Sequence, residues 1–135
     1  MSDFGNYLED ELLDHVFGQG GADYTSPTSI WAAFGTSDPG EAGSAWGEPW
    51  GLGTYARVEM TVGDFNASSD GTVDNANTET FLEAGANQGT ITHFGLFDAA
   101  TVGNFLGGGT LSSDRVIETG DTPRFAAGAM VITLA

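Results

Sequence analysis

Glycine punctuates this chain. There are 21 in 135 residues, and they cut most of it into short apolar runs separated by turn material. Short runs at even spacing suit strands, because a glycine in a helix interior weakens the helix while a turn can exploit its freedom at positive φ. Residues 55–62 carry the clearest period. Ala56, Val58, Met60 and Val62 fall on one side and Tyr55, Arg57, Glu59 and Thr61 on the other, which predicts a half-buried antiparallel strand. Further runs at 29–34, 78–82, 90–97, 104–111, 115–118 and 129–134 read as strands. Residues 98–103 read as a hairpin loop between two of them, 66–71 as a polar turn, and Gly120-Asp121 as a turn before the last strand. Six or seven strands of this kind predict a mostly β chain, an antiparallel β-sandwich or jelly-roll-like domain.

The first eighteen residues differ. Leu8, Leu12 and Val16 recur at helical spacing, with Tyr7, Leu13 and Phe17 beside them. Asn6 suits the N-cap with Glu9 as its capping-box partner, and Gly18 supplies the stop. One short N-terminal helix of about a dozen residues is marginal alone in water, so its apolar stripe must dock on its own sheet or on a neighbour. The length fits a single domain, 1–135, with an arm and helix at 1–18, a β domain at 19–135, and a long Gly/Pro/Trp loop near 38–53.

The charge balance excludes several classes. Nineteen Asp and Glu stand against three cations, Arg57, Arg115 and Arg124, for a net charge of -16. Nucleic-acid binding needs cations that displace condensed counterions, and anionic membranes repel such a chain. No run approaches the roughly 18 apolar residues of a membrane span. The opening Met1-Ser2-Asp3-Phe4-Gly5 has neither the basic nor the apolar part of a signal peptide. There is no cysteine, which removes disulfides and thiolate metal sites.

No motif carries catalysis or a cofactor. Scattered carboxylates on so acidic a chain read as solvated. His93 reads as a satisfied or surface strand residue, and no nucleophile elbow is present. The segment 70–77, Asp70-Gly71-Thr72-Val73-Asp74-Asn75-Ala76-Asn77, is rich in oxygen but lacks the EF-hand spacing, so turns explain it better than calcium. Gly107-Gly108-Gly109 is followed by no lysine and reads as a strand end or bulge. Trp31 reads as core. Trp46 and Trp50, in the loop, suit either folding of that loop or anchoring of a partner.

The stretches Tyr7-Leu8-Glu9-Asp10-Glu11-Leu12-Leu13-Asp14-His15-Val16-Phe17-Gly18, Tyr55-Ala56-Arg57, Ile91-Thr92-His93-Phe94-Gly95-Leu96-Phe97-Asp98-Ala99-Ala100 and Gly120-Asp121-Thr122-Pro123-Arg124-Phe125-Ala126-Ala127-Gly128 follow in an order that resembles small virion proteins of tailed bacteriophages, a group often labelled tail fibre-like. The sequence departs from that pattern at 38–53, where its Trp-rich loop is longer. The resemblance implies a virion part and brings no catalytic residues. Lacking shaft repeats, and too acidic to lie against packaged DNA, the chain is expected on an outer surface, with a capsid decoration (cement) protein first. A small tail, fibre or baseplate subunit involved in host attachment is second, a carbohydrate-binding module third and an enzyme last. Its expected partners are the major capsid protein or other virion proteins and further copies of itself, with a trimer favoured. The expected interface residues are Phe4, Tyr7, Leu8, Leu12, Trp46 and Trp50, with residues 1–5 reaching the partner.

Overall fold

The computed structural model describes residues 3–21, 23–44 and 46–134. Met1 and Ser2, the tip of the expected arm, lie outside the described residues.

A five-stranded antiparallel sheet organises the chain, with strand order β1 (Asp3–Phe4), β7 (Phe105–Ile117), β6 (Gly89–Phe97), β2 (Ile30–Gly35) and β3 (Val58–Met60). Two short ribbons complete the β structure, β4 (Thr72–Asp74) with β9 (Val131–Thr133) and β5 (Glu79–Thr80) with β8 (Arg124–Phe125). Ala32, Phe34, Phe94 and Leu96 of the sheet pack with Phe81, Phe125, Met130 and Ile132 on or beside the ribbons. The fold is therefore mostly β, antiparallel and sandwich-like, with one helix near its start. A second cluster of Ala33, Trp46, Phe97 and Phe105 forms where the loop at 38–53 folds back over the sheet.

Several expected elements are present and several differ. The expected strands at 104–111 and 115–118 are one strand, β7. Its glycine triplet, read as a strand end or bulge, follows directly on a register shift at Leu106 and is itself regularly paired with β6, and β1 pairs with it on the other side. Asp3 lies opposite Gly108 and Phe4 opposite Gly107. A β-carbon on Gly107 would come within 2.6 Å of the Asp3 carbonyl oxygen, so the close approach requires glycine. Residues 3 and 4 are thus an edge strand rather than a free arm.

The alternation at 55–62 holds only in part. Strand β3 is three residues long, and a 3-10 turn takes over at Val62–Asp64. Tyr55 and Arg57, expected on the solvent side, are buried, and Val62, expected inside, is 91% exposed. Trp31 is half-buried rather than core.

The oxygen-rich segment 70–77 is used by the fold. Asp70 and Gly71, both at positive φ, close a tight hairpin in which Ser69 and Thr72 exchange backbone hydrogen bonds of 2.9 Å, the turn for which Asp-Gly is favoured. Asn75 is buried. Its amide donates to the Asn77 and Ala126 carbonyls, and its Oδ1 accepts from the Met130 N–H.

The β6–β7 hairpin loop is closed by Asp98, whose carboxylate accepts from the Asn104 backbone N–H at 2.7 Å and side-chain amide at 2.9 Å. Within it Val102 sits at φ 55, a left-handed conformation that costs a β-branched residue on the order of 1–2 kcal/mol. The Val102 side chain is exposed and contributes little packing in return. Val102→Asn should therefore raise the unfolding free energy by about 0.5–1 kcal/mol, read as an upward shift of the thermal midpoint.

Candidate interaction surface

Helix α1 (Asn6–Phe17) begins without the expected Asn6 cap. Gly5 is the N-cap, and no side chain caps the helix. The backbone of Gly5 is tied to Leu106 at 2.9 Å and that of Asn6 to Glu41 at 3.0 Å. Contacts with β7 and the long loop thus satisfy donors that a cap would otherwise take. The other end behaves as expected. Gly18 is left-handed at φ 69, and its N–H donates to the Asp14 carbonyl.

Docked in this way, the helix divides its apolar stripe. Tyr7 and Leu8 pack against the sandwich core, as does Phe4. Leu13 is 56% exposed, and Val16 and Phe17 are each 70% exposed. The stripe, expected to dock on its own sheet or on a neighbour, meets its own sheet only over its first half. The second half presents three large apolar side chains to solvent among Glu9, Asp10, Glu11 and Asp14.

Beside the helix lies an apolar groove of about 370 Å³. Phe4, Leu8 and Leu12 form one side. Tyr24, Pro27, Ile30, Met60, Val62 and Phe65 bring the strand β2 approach and the β3 end to the other, over a floor that includes Leu96, Leu106 and Ile132. No charged side chain lines it. Burial first, then the Glu11 and Asp98 carboxylates, push the Tyr7 phenol above the ordinary tyrosine value, and burial, then Tyr7, Asp98 and Glu11, push up that of Tyr24. The helix-side flank is therefore acidic.

Four of the six expected interface residues thus cluster, with Phe4, Leu8 and Leu12 in the groove wall and Tyr7 on the adjoining helix turn. The two loop tryptophans do not join them. Trp46 is 3% exposed and belongs to the second core cluster, with its ring 6.1 Å from that of Phe97, so it offers no free face to a partner. Trp50, 42% exposed, meets Tyr55 edge to face at 5.0 Å and lies 5.5 Å from the Arg57 guanidinium. Leu13, Val16 and Phe17 were not among the expected contact residues. Their signal was present in the helical period, but periodicity alone does not tell a stripe facing its own sheet from one facing outward.

The loop is pinned by a buried ion pair. The Arg57 Nε and Nη2 donate to the two Glu48 carboxylate oxygens at 2.7 and 2.9 Å, a bidentate fork. Tyr55 donates its hydroxyl to the same carboxylate at 2.7 Å. Burial, and next the Glu48 charge, push that phenol far above its ordinary value and keep it a donor. Arg57 Nη1 reaches the Ala99 and Val102 carbonyls at 2.9 and 2.8 Å, and the guanidinium stacks 3.7 Å from the Phe97 ring centre. One side chain thus ties β3 to the long loop and to the β6–β7 hairpin.

The family described as Podophage GP4 fiber I protein gp80 matches residues 3–133. The chain belongs to this family. No curated protein matches it. Membership makes the chain a small structural protein of a tailed-phage virion, associated with other virion proteins. The match spans the helix, the groove and every strand. Among the described residues no group of histidines and carboxylates is placed to hold a metal ion, and no helix is long and apolar enough to cross a membrane.

Proposed function

We propose that this gp80-family chain is a non-catalytic subunit of the fibre assembly that joins copies of itself through the end of helix α1 and the groove beside it. The carrying observation is that an apolar projection (Leu13, Val16, Phe17) and an apolar recess sit side by side on one chain. A projection on one copy that enters the recess of the next makes a head-to-tail contact, which closes into a ring when the rotation allows. A trimer is the ring proposed here. Covering the three exposed side chains is worth on the order of 3–6 kcal/mol, set against repulsion between subunits of charge -16. That repulsion is screened within about 8 Å at 0.15 M salt but reaches about 30 Å at 0.01 M.

The chain should therefore be oligomeric at 0.15 M salt and dissociate at 0.01 M in sedimentation velocity. The Val16→Ser/Phe17→Ser double variant should be monomeric at both while melting within about 1 kcal/mol of the wild-type chain, because both side chains are already exposed. Leu12→Ala, half-buried in the groove wall, should lower stability by about 1–3 kcal/mol. A double variant that still assembles would remove the helix end from the interface.

Capsid cementing is the second reading, and net charge and compact size support it. A fibre subunit shares both features, and the family description adds weight to the fibre side. Copy number in purified virions separates the two. Dozens of copies or fewer, with antibody label at the tail, fits the fibre reading, and hundreds over the capsid fits cementing.

A further inference from the structure

Three arginines are the only Lys or Arg residues in the chain, and Arg57 is consumed by Glu48. The other two, Arg115 and Arg124, come from different parts of the sandwich. Arg115 is on β7 opposite Ile91, and Arg124 is on β8 opposite Thr80. Both are exposed, and both line one cleft of about 420 Å³. On a chain with 19 carboxylates, neither makes an ion pair or a side-chain hydrogen bond among the described residues.

The rest of the cleft is largely apolar, with Leu111, Val116 and Pro123 in its walls. Its one carboxylate, Asp121, is engaged, accepting from the Glu118 N–H at 2.8 Å. The cleft shares no lining residue with the groove beside α1. A guanidinium presents a planar fork that matches carboxylate and phosphate oxygens, and the cleft's volume falls in the range of small-molecule sites. Two unpaired forks beside an apolar wall select a ligand with both characters.

We propose that the cleft between β7 and β8 binds an oxyanion, carboxylate or phosphate, carried on an apolar or ring-shaped body.

The test is titration of the isotope-labelled full-length chain with phenyl phosphate, benzoate and inorganic phosphate at fixed ionic strength, followed by NMR. Phenyl phosphate or benzoate should give saturable shifts at Arg115, Thr122 and Arg124. Either should bind at least several-fold more tightly than inorganic phosphate, because the body gains the apolar wall. Arg115→Gln and Arg124→Gln should each weaken binding about tenfold, the loss of one charge-assisted contact, with melting unchanged. Shifts that chloride reproduces equally, or binding indifferent to both substitutions, would overturn the site. Inorganic phosphate binding as tightly as phenyl phosphate would overturn the role of the apolar wall. Loss of oligomerisation in the Val16/Phe17 double variant leaves these outcomes unaffected, so failure of the cleft and failure of the assembly reading are separable.

Discussion

Glu48→Ala should destabilise the chain by about 3–5 kcal/mol, because it strands a buried guanidinium without its counter-charge. The Arg57 side chain is almost fully buried, at 4% exposure, and it cannot shed its charge as a buried lysine can. The loss is large against a total stability of roughly 5–15 kcal/mol. The same substitution removes the acceptor of the buried Tyr55 hydroxyl, which adds an unsatisfied donor. The Glu48→Met/Arg57→Met double variant should lie closer to wild type than either Glu48→Met or Arg57→Met alone, since a buried pair replaced as a unit leaves no uncompensated charge. It would still lose the Arg57 bonds to the Ala99 and Val102 carbonyls and so should not exceed wild-type stability. Denaturant unfolding of the four proteins measures the coupling. Additive single effects would mean that the pair contributes nothing as a pair.

That ion pair also marks the limit of what was legible in the sequence. The alternation at 55–62 correctly signals β structure, but it assigns Arg57 to solvent because an isolated arginine in a strand belongs there. The partner that reverses this is nine positions earlier, in a segment with no period, and nothing local announces that Glu48 will face inward. The helix shows the same contrast. Gly18 ends it through local chemistry and is readable. Its start is fixed by the Glu41 and Leu106 carbonyls, and long-range contacts leave no signature around Asn6. Strand β7 was divided in reading at Ser112-Ser113-Asp114, which looks like turn material, and Gly107-Gly108-Gly109 read as a strand end or bulge. At the glycines the sheet overrides that propensity, since β6 pairs on one side and β1 needs the bare backbone on the other, whereas at 111–114 the ladder with β6 breaks its register and the strand runs on as an irregularity. At the candidate surface, Tyr7, Leu8 and Leu12 were legible because a helical stripe must be covered somewhere, whereas Phe4 lies ahead of that stripe, on β1. Where the cover ends, at Leu13, depends on the length of the sheet beneath.

Trp46 and Trp50, alike in the sequence, should respond to truncation by very different amounts. Trp46→Ala should cost about 3–5 kcal/mol and lower the thermal midpoint by roughly 10–20 °C. Its ring lies so close over the sheet that a β-carbon on Gly35 would come within 2.5 Å of Trp46 Cε3, and one on Gly95 within 3.0 Å of Cη2. These two glycines make room for the indole, and its removal leaves a cavity that a sheet backbone cannot close. The carbonyl of Trp46 also accepts from the Ser37 N–H at 3.0 Å, so a shifted loop would loosen the return from β2. Trp50→Ala removes a half-exposed ring, one edge contact with Tyr55 and one cation–π contact with Arg57, worth about 1–2 kcal/mol together. Had these tryptophans been partner anchors, each substitution would abolish assembly and leave the melt nearly unchanged. Paired melting and sedimentation curves separate the two cases. A Trp46→Ala chain that melts like wild type but no longer assembles would return the interface to the loop and take it from the helix.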